Sequence, residues 1–247
     1  HLSIRRQRQM CIRDSYDANK PMKQGNLLFD RLPMDAWEAW SKEIEHVQLQ
    51  LGQVVFDIGA PITHVYFPST SIISMTHLLL EGESIEVAMI GAEGVLGMSA
   101  LMGDTKSSVR SLVLNAGGAY RLPASWIKRE FEHSSAVMQI MLRFSQTLMM
   151  QVSQIAACNN HHSLEQRLSR WLMLYADRVK DKQHIMCTQE LIAQTLGVRR
   201  ERLAKVANTL KKQGLIDYSR GAISLINKEG LEQCTCECYE AIKRSYD

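Results

Sequence analysis

Hydrophobic spacing changes period several times along this 247-residue chain. Around Pro33 to Val47, Trp37, Trp40 and Ile44 recur at three- and four-residue intervals, which is one face of a short helix. Alternation then takes over. Val47/Leu49/Leu51 and Ile85/Val87/Met89 alternate with polar residues, Val65 to Phe67 and Ile72 to Met75 are rich in β-formers, and Glu81-Gly82-Glu83 reads as a hairpin turn. Val109 to Leu114 and Ala119 to Leu122 add two more strands, separated by Asn115-Ala116-Gly117-Gly118. Short strands at such spacing predict a β-barrel or sandwich closed on itself.

After Pro123 the period becomes helical. Val137, Met141, Phe144, Leu148, Val152 and Ile155 form one apolar stripe on a helix that exceeds 25 residues. A stripe this long needs a partner, and its near-heptad spacing predicts that the helix pairs with its twin in a homodimer. Asn159-Asn160-His161-His162 ends it and reads as a polar boundary between domains.

The last third carries the most specific pattern. A helix from Ser163 to about Lys180 presents Leu164, Leu168, Trp171, Leu172 and Tyr175 on one face, with Ser163 as N-cap. Thr188 caps a short helix, Gln189 to Leu196, whose first turn holds Glu190 where the helix dipole favours an anion. Gly197 turns the chain into a second helix, about Arg199 to Gln213, closed by Gly214. That is a helix-turn-helix. On the second helix Leu203, Val206, Ala207 and Leu210 share one side, while Glu201, Lys205, Asn208 and Lys212 share the other. Arg199, Arg200 and Arg202 crowd its first turn, the part of a recognition helix that reaches base edges in the major groove. Arginine there can bind guanine O6 and N7 bidentately, and Glu201 can accept from a cytosine amino group. Thr188 and Gln189, at the start of the first helix, are counted among the expected DNA-binding residues as well. Leu215 to Tyr218 and Ala222 to Leu225 read as two strands joined at Ser219-Arg220-Gly221, a wing whose tip offers Arg220 to a phosphate.

In this order the parts resemble the Crp/Fnr family of bacterial transcription regulators. The resemblance covers roughly Leu27 to Leu225 and is most specific over Thr188 to Val206 and over Leu164 to Leu172. The family's recognition helix presents an Arg-Glu pair and a basic residue four positions beyond the Glu, which fall here on Arg200, Glu201 and Lys205. The resemblance implies an α+β fold: a jelly-roll sensor domain of cyclic-nucleotide-binding type, a long dimerisation helix and a winged helix-turn-helix, in a homodimer on two-fold DNA sites, with RNA polymerase as a further partner. The expected division is an arm over 1–25, the sensor over 26–133, the dimerisation helix over 134–160 and the DNA-binding domain over 161–247. In cyclic-nucleotide-binding relatives a Gly-Glu pair opens the phosphate turn and an arginine follows about ten residues on. Here Gly97 is followed by Met98, and Ser108 stands at the arginine position. Both charges are missing. Arg110, two positions on, is the one candidate rescue, so an effector other than a cyclic nucleotide, or none, is expected.

Composition narrows the alternatives. At 45% hydrophobic residues the chain can bury a sizeable core, yet its most apolar stretch, Val137 to Ala157, is interrupted by Gln139, Arg143, Ser145, Gln146, Gln151 and Gln154, so no membrane span is expected. His1 to Asp14 is basic and polar, unlike a signal peptide, and a cytoplasmic location follows as the expectation. Basic His1 to Gly25 lacks apolar periodicity and is expected to be an unstructured or non-native arm. The formal charge of +3 decides nothing by itself. Six cysteines in such a chain are expected as thiols.

A thiol or metal chemistry centred on Cys234-Thr235-Cys236-Glu237-Cys238 is the competing reading, as a metal- or thiol-dependent enzyme or a redox sensor. Alternate-residue spacing lacks the usual two-residue gap and no His/Cys pair follows, so these cysteines are expected to pack against the winged domain or lie exposed, with no metal and no cofactor. No Ser-His-Asp set, phosphate loop or carboxylate pair names a reaction, and no enzyme is expected. A helix-turn-helix that binds protein alone is the third reading.

Overall fold

The computed structural model describes residues 25–80, 83–179, 184–219 and 221–246. The arm through residue 24, the turn residues Glu81 and Gly82, Lys180 and the wing-tip Arg220 lie outside the described residues.

Two short helices open the described chain, α1 (Leu27–Asp30) and α2 (Met34–Glu43). The expected single helical piece to Val47 ends earlier, because Ile44 is already extended and the next residues pair as a strand. Seven strands follow: β1 (Glu45–Leu49), β2 (Val54–Phe56), β3 (His64–Pro68), β4 (Ile72–Leu78), β5 (Ser84–Ile90), β6 (Arg110–Asn115) and β7 (Gly117–Pro123). They form two facing antiparallel sheets, ordered β1-β7-β3 and β2-β6-β4-β5, which together make the jelly roll. Phe29, Trp40, Phe67, Val65, Val113 and Leu122 meet between the sheets under α1 and α2. Gly117 and Gly118 are needed where β7 crosses the loop before β4, since a Cβ on Gly117 would lie 2.7 Å from the Thr70 backbone.

Strands β4 and β5 are buried on both faces toward one end, because the outer side of their sheet is covered by a helix of the C-terminal half. The simple alternation expected for β5 therefore reverses its meaning: Glu86 and Ala88 are buried while Ile85 and Val87 are only partly so.

Beyond β7 come α3 (Ala124–His133) and α4 (Ser135–His161), with Ser134 capping α4 by accepting from the Val137 amide. α5 (Leu164–Arg178) starts in a capping box between Ser163 and Gln166. Its face of Leu168, Trp171, Leu172 and Tyr175 closes over Ile72, Met89 and Leu114 of the sheet and over the C-terminal unit, so one helix is core to both. Next are β8 (His184–Ile185), α6 (Gln189–Leu196), α7 (Arg200–Lys212), β9 (Ile216–Ser219), β10 (Ala222–Leu225), α8 (Lys228–Gln233) and α9 (Glu237–Arg244). The small sheet runs β8-β10-β9, one strand more than the expected wing. Among the described residues no helix is long and apolar enough to cross a membrane.

The α4 stripe is spent differently from the expectation. Val137, Met141 and Phe144 are buried in the jelly-roll core and Ile155 in the core beneath α5, while Leu148 and Val152 are partly buried. They hold the helix to its own chain. A second, more exposed stripe, Met138, Leu142, Ser145, Met149, Val152 and Ala156, follows a 4-3-4-3-4 spacing, with Leu142 48% and Met149 58% exposed and Ser145 and Val152 half-buried. That spacing is a heptad seam.

Candidate nucleic-acid interface

Local chemistry fixes the two helices of the motif. The Thr188 hydroxyl accepts from the Leu191 amide at 3.2 Å, and the Gln189 amide donates to the Tyr218 hydroxyl at 3.2 Å, so the first helix is tied to the wing. Gly197 adopts φ +63, a conformation that a side chain resists, and sits against Ile85 and Ser84 of β5. α7 then buries Leu203, Ala207 and Leu210 against α5 and α6. Geometry leaves the opposite face open: Arg199, Arg200, Glu201, Arg202, Lys205, Asn208 and Lys212 are all exposed. Arg199 is the N-cap residue rather than part of the helix, and its side chain makes no cap bond. Lys211, beside this face, is engaged by Asp217 of the wing at 2.5 Å. Three guanidinium groups thus surround the positive end of the α7 dipole, a concentration of charge that suits a polyanion.

The motif is docked on the sensor sheet. Ser84 Oγ donates to the Gln194 carbonyl at 3.0 Å, and Arg110, Glu83 and Ser84 share a cleft with Gln194, Gly197, Arg199 and Arg202. Beneath it lies a buried carboxyl. Glu86, fully buried, accepts from Ser74 Oγ at 2.5 Å, and burial pushes its pKa up to about 7 against the opposing pull of Ser74, Arg170, Trp171 and Arg178. Arg178, also buried, pairs with Glu93 at 2.6 Å and stacks over the Tyr246 ring.

A cavity of about 350 Å³ lies between the jelly roll and α4. Gly97, Met98 and Ser108 line it, together with Phe56, Met75, Met102, Leu148, Met149 and Val152. Among the described residues its wall holds no charged side chain. Arg110 is not part of it: its Nε and Nη2 donate to the Asp57 carboxylate at 3.0 and 2.8 Å, so the candidate rescue is spent on another partner. A buried phosphate here would lack a cation.

The C-terminal cysteines depart from expectation. Cys236 caps α9, Cys238 follows in its first turn, and both are buried against Cys158 on the last turn of α4. His162, the residue that closes α4, joins them, so the partners of Cys-Thr-Cys lie upstream rather than downstream. Cys158 and His162 stand at i and i+4 on one helical face, a signal present in the sequence but discounted there as a polar boundary. Cys234 stays outside this group, half-buried.

Comparison with known proteins places these features. Residues 166–234 match the Crp-like helix-turn-helix domain. Among curated protein sequences none matches the chain. Among solved structures it is similar to a Crp/Fnr-family transcriptional regulator of Eubacterium rectale, with TM-score 0.69 and 18% identity over 86% of this chain and 99% of that one. It is also similar to FixK2 of Bradyrhizobium japonicum, with TM-score 0.67 and 14% identity over 78% and 98% of the two chains. The c-di-GMP-responsive regulator CLP of Xanthomonas campestris aligns at TM-score 0.63 and 12% identity over 79% and 100%. The chain therefore carries a Crp-like helix-turn-helix domain within the overall fold of the Crp/Fnr family of transcriptional regulators.

Proposed function

We propose that the protein is a dimeric, sequence-specific DNA-binding transcription regulator whose recognition helix is α7. The observation that carries this reading is the exposed first turn of α7, where Arg199, Arg200 and Arg202 stand free around Glu201 on a helix anchored by its opposite face. Arg200 and Glu201 read base edges, Lys205 and Asn208 extend the contact along the groove, and Lys212, Thr188, Gln189 and the wing, with Arg220, meet the phosphate backbone. Selection of bound DNA from a random duplex pool tests it. A near-palindrome with half-sites about one helical turn apart is the expected product.

The dimer forms through the exposed seam of α4, Met138 to Ala156, rather than through the stripe that packs on the chain's own cores. The functional units follow these packing boundaries: sensor to His133, dimerisation helix through His161, DNA-binding unit beyond. An uncharged cavity supports an effector other than a cyclic nucleotide, or none. The Ser84 contact to α6 of the helix-turn-helix gives a sensor-domain change a route to α7 through the helix packed against it. RNA polymerase is the natural further partner, and the site works in the cytoplasm without catalysing a reaction.

A further inference from the structure

Four soft or borderline ligands meet where the end of α4 touches the start of α9. The donor atoms of Cys158, His162, Cys236 and Cys238 all lie within 4.8 Å of one another. Cys158 Sγ is 3.5 Å from Cys236 Sγ, and Cys238 Sγ is 3.5 Å from His162 Nδ1. For thiolates about 2.3 Å from zinc, the edges of the coordination tetrahedron are about 3.8 Å. The Cys158–Cys236 and Cys238–His162 separations are close to that edge, and no pair of the four donors is more than 4.8 Å apart. An iron-sulfur cubane would interpose irons and sulfides and hold its thiolates farther apart than this.

The surroundings suit a metal as well as the donors do. His162 turns Nδ1 toward the cysteines and Nε2 toward Glu237, whose Oε1 is 3.3 Å away. A carboxylate that accepts from the outer nitrogen fixes the tautomer with its inner lone pair free for a cation. Gln154 Nε2 donates to Cys238 Sγ at 3.1 Å, a bond that a thiolate strengthens. An independent observation concerns charge. Arg170 is 2% exposed, and its Nε and Nη1 have no hydrogen-bond partner among the described residues. Its positive charge bears on the Cys158 thiol. Three thiolates around a divalent cation carry a net charge of −1, which would give this buried guanidinium a counter-charge in addition to the Glu86 carboxyl that it also acts on.

We propose that Cys158, His162, Cys236 and Cys238 bind one zinc ion in a closed tetrahedral site that clamps the C-terminal helix to the end of the dimerisation helix. Binding releases the three thiol protons to solvent and leaves the imidazole neutral. No coordination position remains for substrate, so the ion is structural. The site stands or falls independently of DNA binding.

The test is elemental analysis of the purified 247-residue chain after dialysis against trace zinc, with cobalt substitution read by absorption. One zinc per chain is expected, and cobalt should show the intense ligand-field bands of a tetrahedral site with thiolate charge transfer. Cys236→Ser and His162→Ala should abolish stoichiometric binding, whereas Cys234→Ser should keep it. Should those variants fail to fold, Glu237→Gln, which leaves all four ligands in place, should weaken zinc affinity about 10- to 100-fold. A wild-type chain that takes up no zinc, one that holds a coloured iron cluster instead, one whose Cys158 and Cys236 are joined as a disulfide, or a Cys236→Ser variant that retains stoichiometric zinc would each overturn the proposal.

Discussion

Glu86 makes stability depend on pH in a direction opposite to that of an ordinary surface carboxylate. The carboxyl lies between β4, β5 and α5, where burial raises its pKa from 4.5 to about 7. The folded chain therefore holds a proton that the unfolded chain has lost, throughout the window from about 4.5 to 7. At about 1.4 kcal/mol per unit, that separation costs the fold roughly 3 kcal/mol once pH has risen past the folded value. This stability is fully present below the unfolded pKa and is lost as pH climbs through the folded one. Glu86→Gln keeps the shape and the Ser74 contact without a charge, so the variant should lack this loss. Denaturant unfolding followed by tryptophan fluorescence suits the assay, because Trp171 is among the groups that act on the carboxyl. Between pH 5.5 and 8 the wild type should fall relative to the variant by about 2 kcal/mol. Parallel curves for the two proteins would refute the reasoning.

Three further outcomes are expected. Arg200→Ala should cost about 1–3 kcal/mol on the selected site and relax one base position, whereas Lys212→Ala should weaken all duplexes alike and lower the salt slope by about one; both are read by fluorescence anisotropy across a salt series. Leu142→Glu combined with Met149→Glu should yield folded monomers by sedimentation, while Phe144→Glu should unfold the chain, because the first two are exposed and the last is buried; a dimer that survives the double change contradicts the seam. Calorimetric titration with cyclic AMP and cyclic GMP should give no micromolar binding, and Arg110→Ala should make no difference to it, given the pairing of Arg110 with Asp57.

Much of this architecture was readable in advance because local rules and tertiary packing agree. Thr188, Gly197 and the Arg199 to Lys212 amphipathy name the helix-turn-helix, and caps and periodicity alone suffice there. Where a surface has two claimants, periodicity cannot choose between them. The Val137-to-Ile155 stripe announces a buried face but not its partner, and the chain's own cores take it. Glu86 interrupts an apolar strand in the sequence and looks solvent-facing, yet α5 covers it. Arg110 keeps the strand face predicted from Ser108 only if nothing competes for it, and Asp57 does. Cysteine spacing did not reveal the cluster for a topological reason, since Cys158 and Cys236, 78 residues apart, meet only after α9 folds back along α4.

Ser145, Met149 and Val152 face two ways: they line the uncharged cavity and also sit on the heptad seam. A molecule that fills the cavity and a neighbouring helix that closes over the seam would press on the same three side chains. The two events then share one free energy of coupling, and each must shift the other by an equal factor. With the proposed dimer and an occupant in the cavity, subunit concentration would be a second input to the sensor: dilution would alter how tightly the cavity holds its occupant, and occupancy how readily the chains find each other.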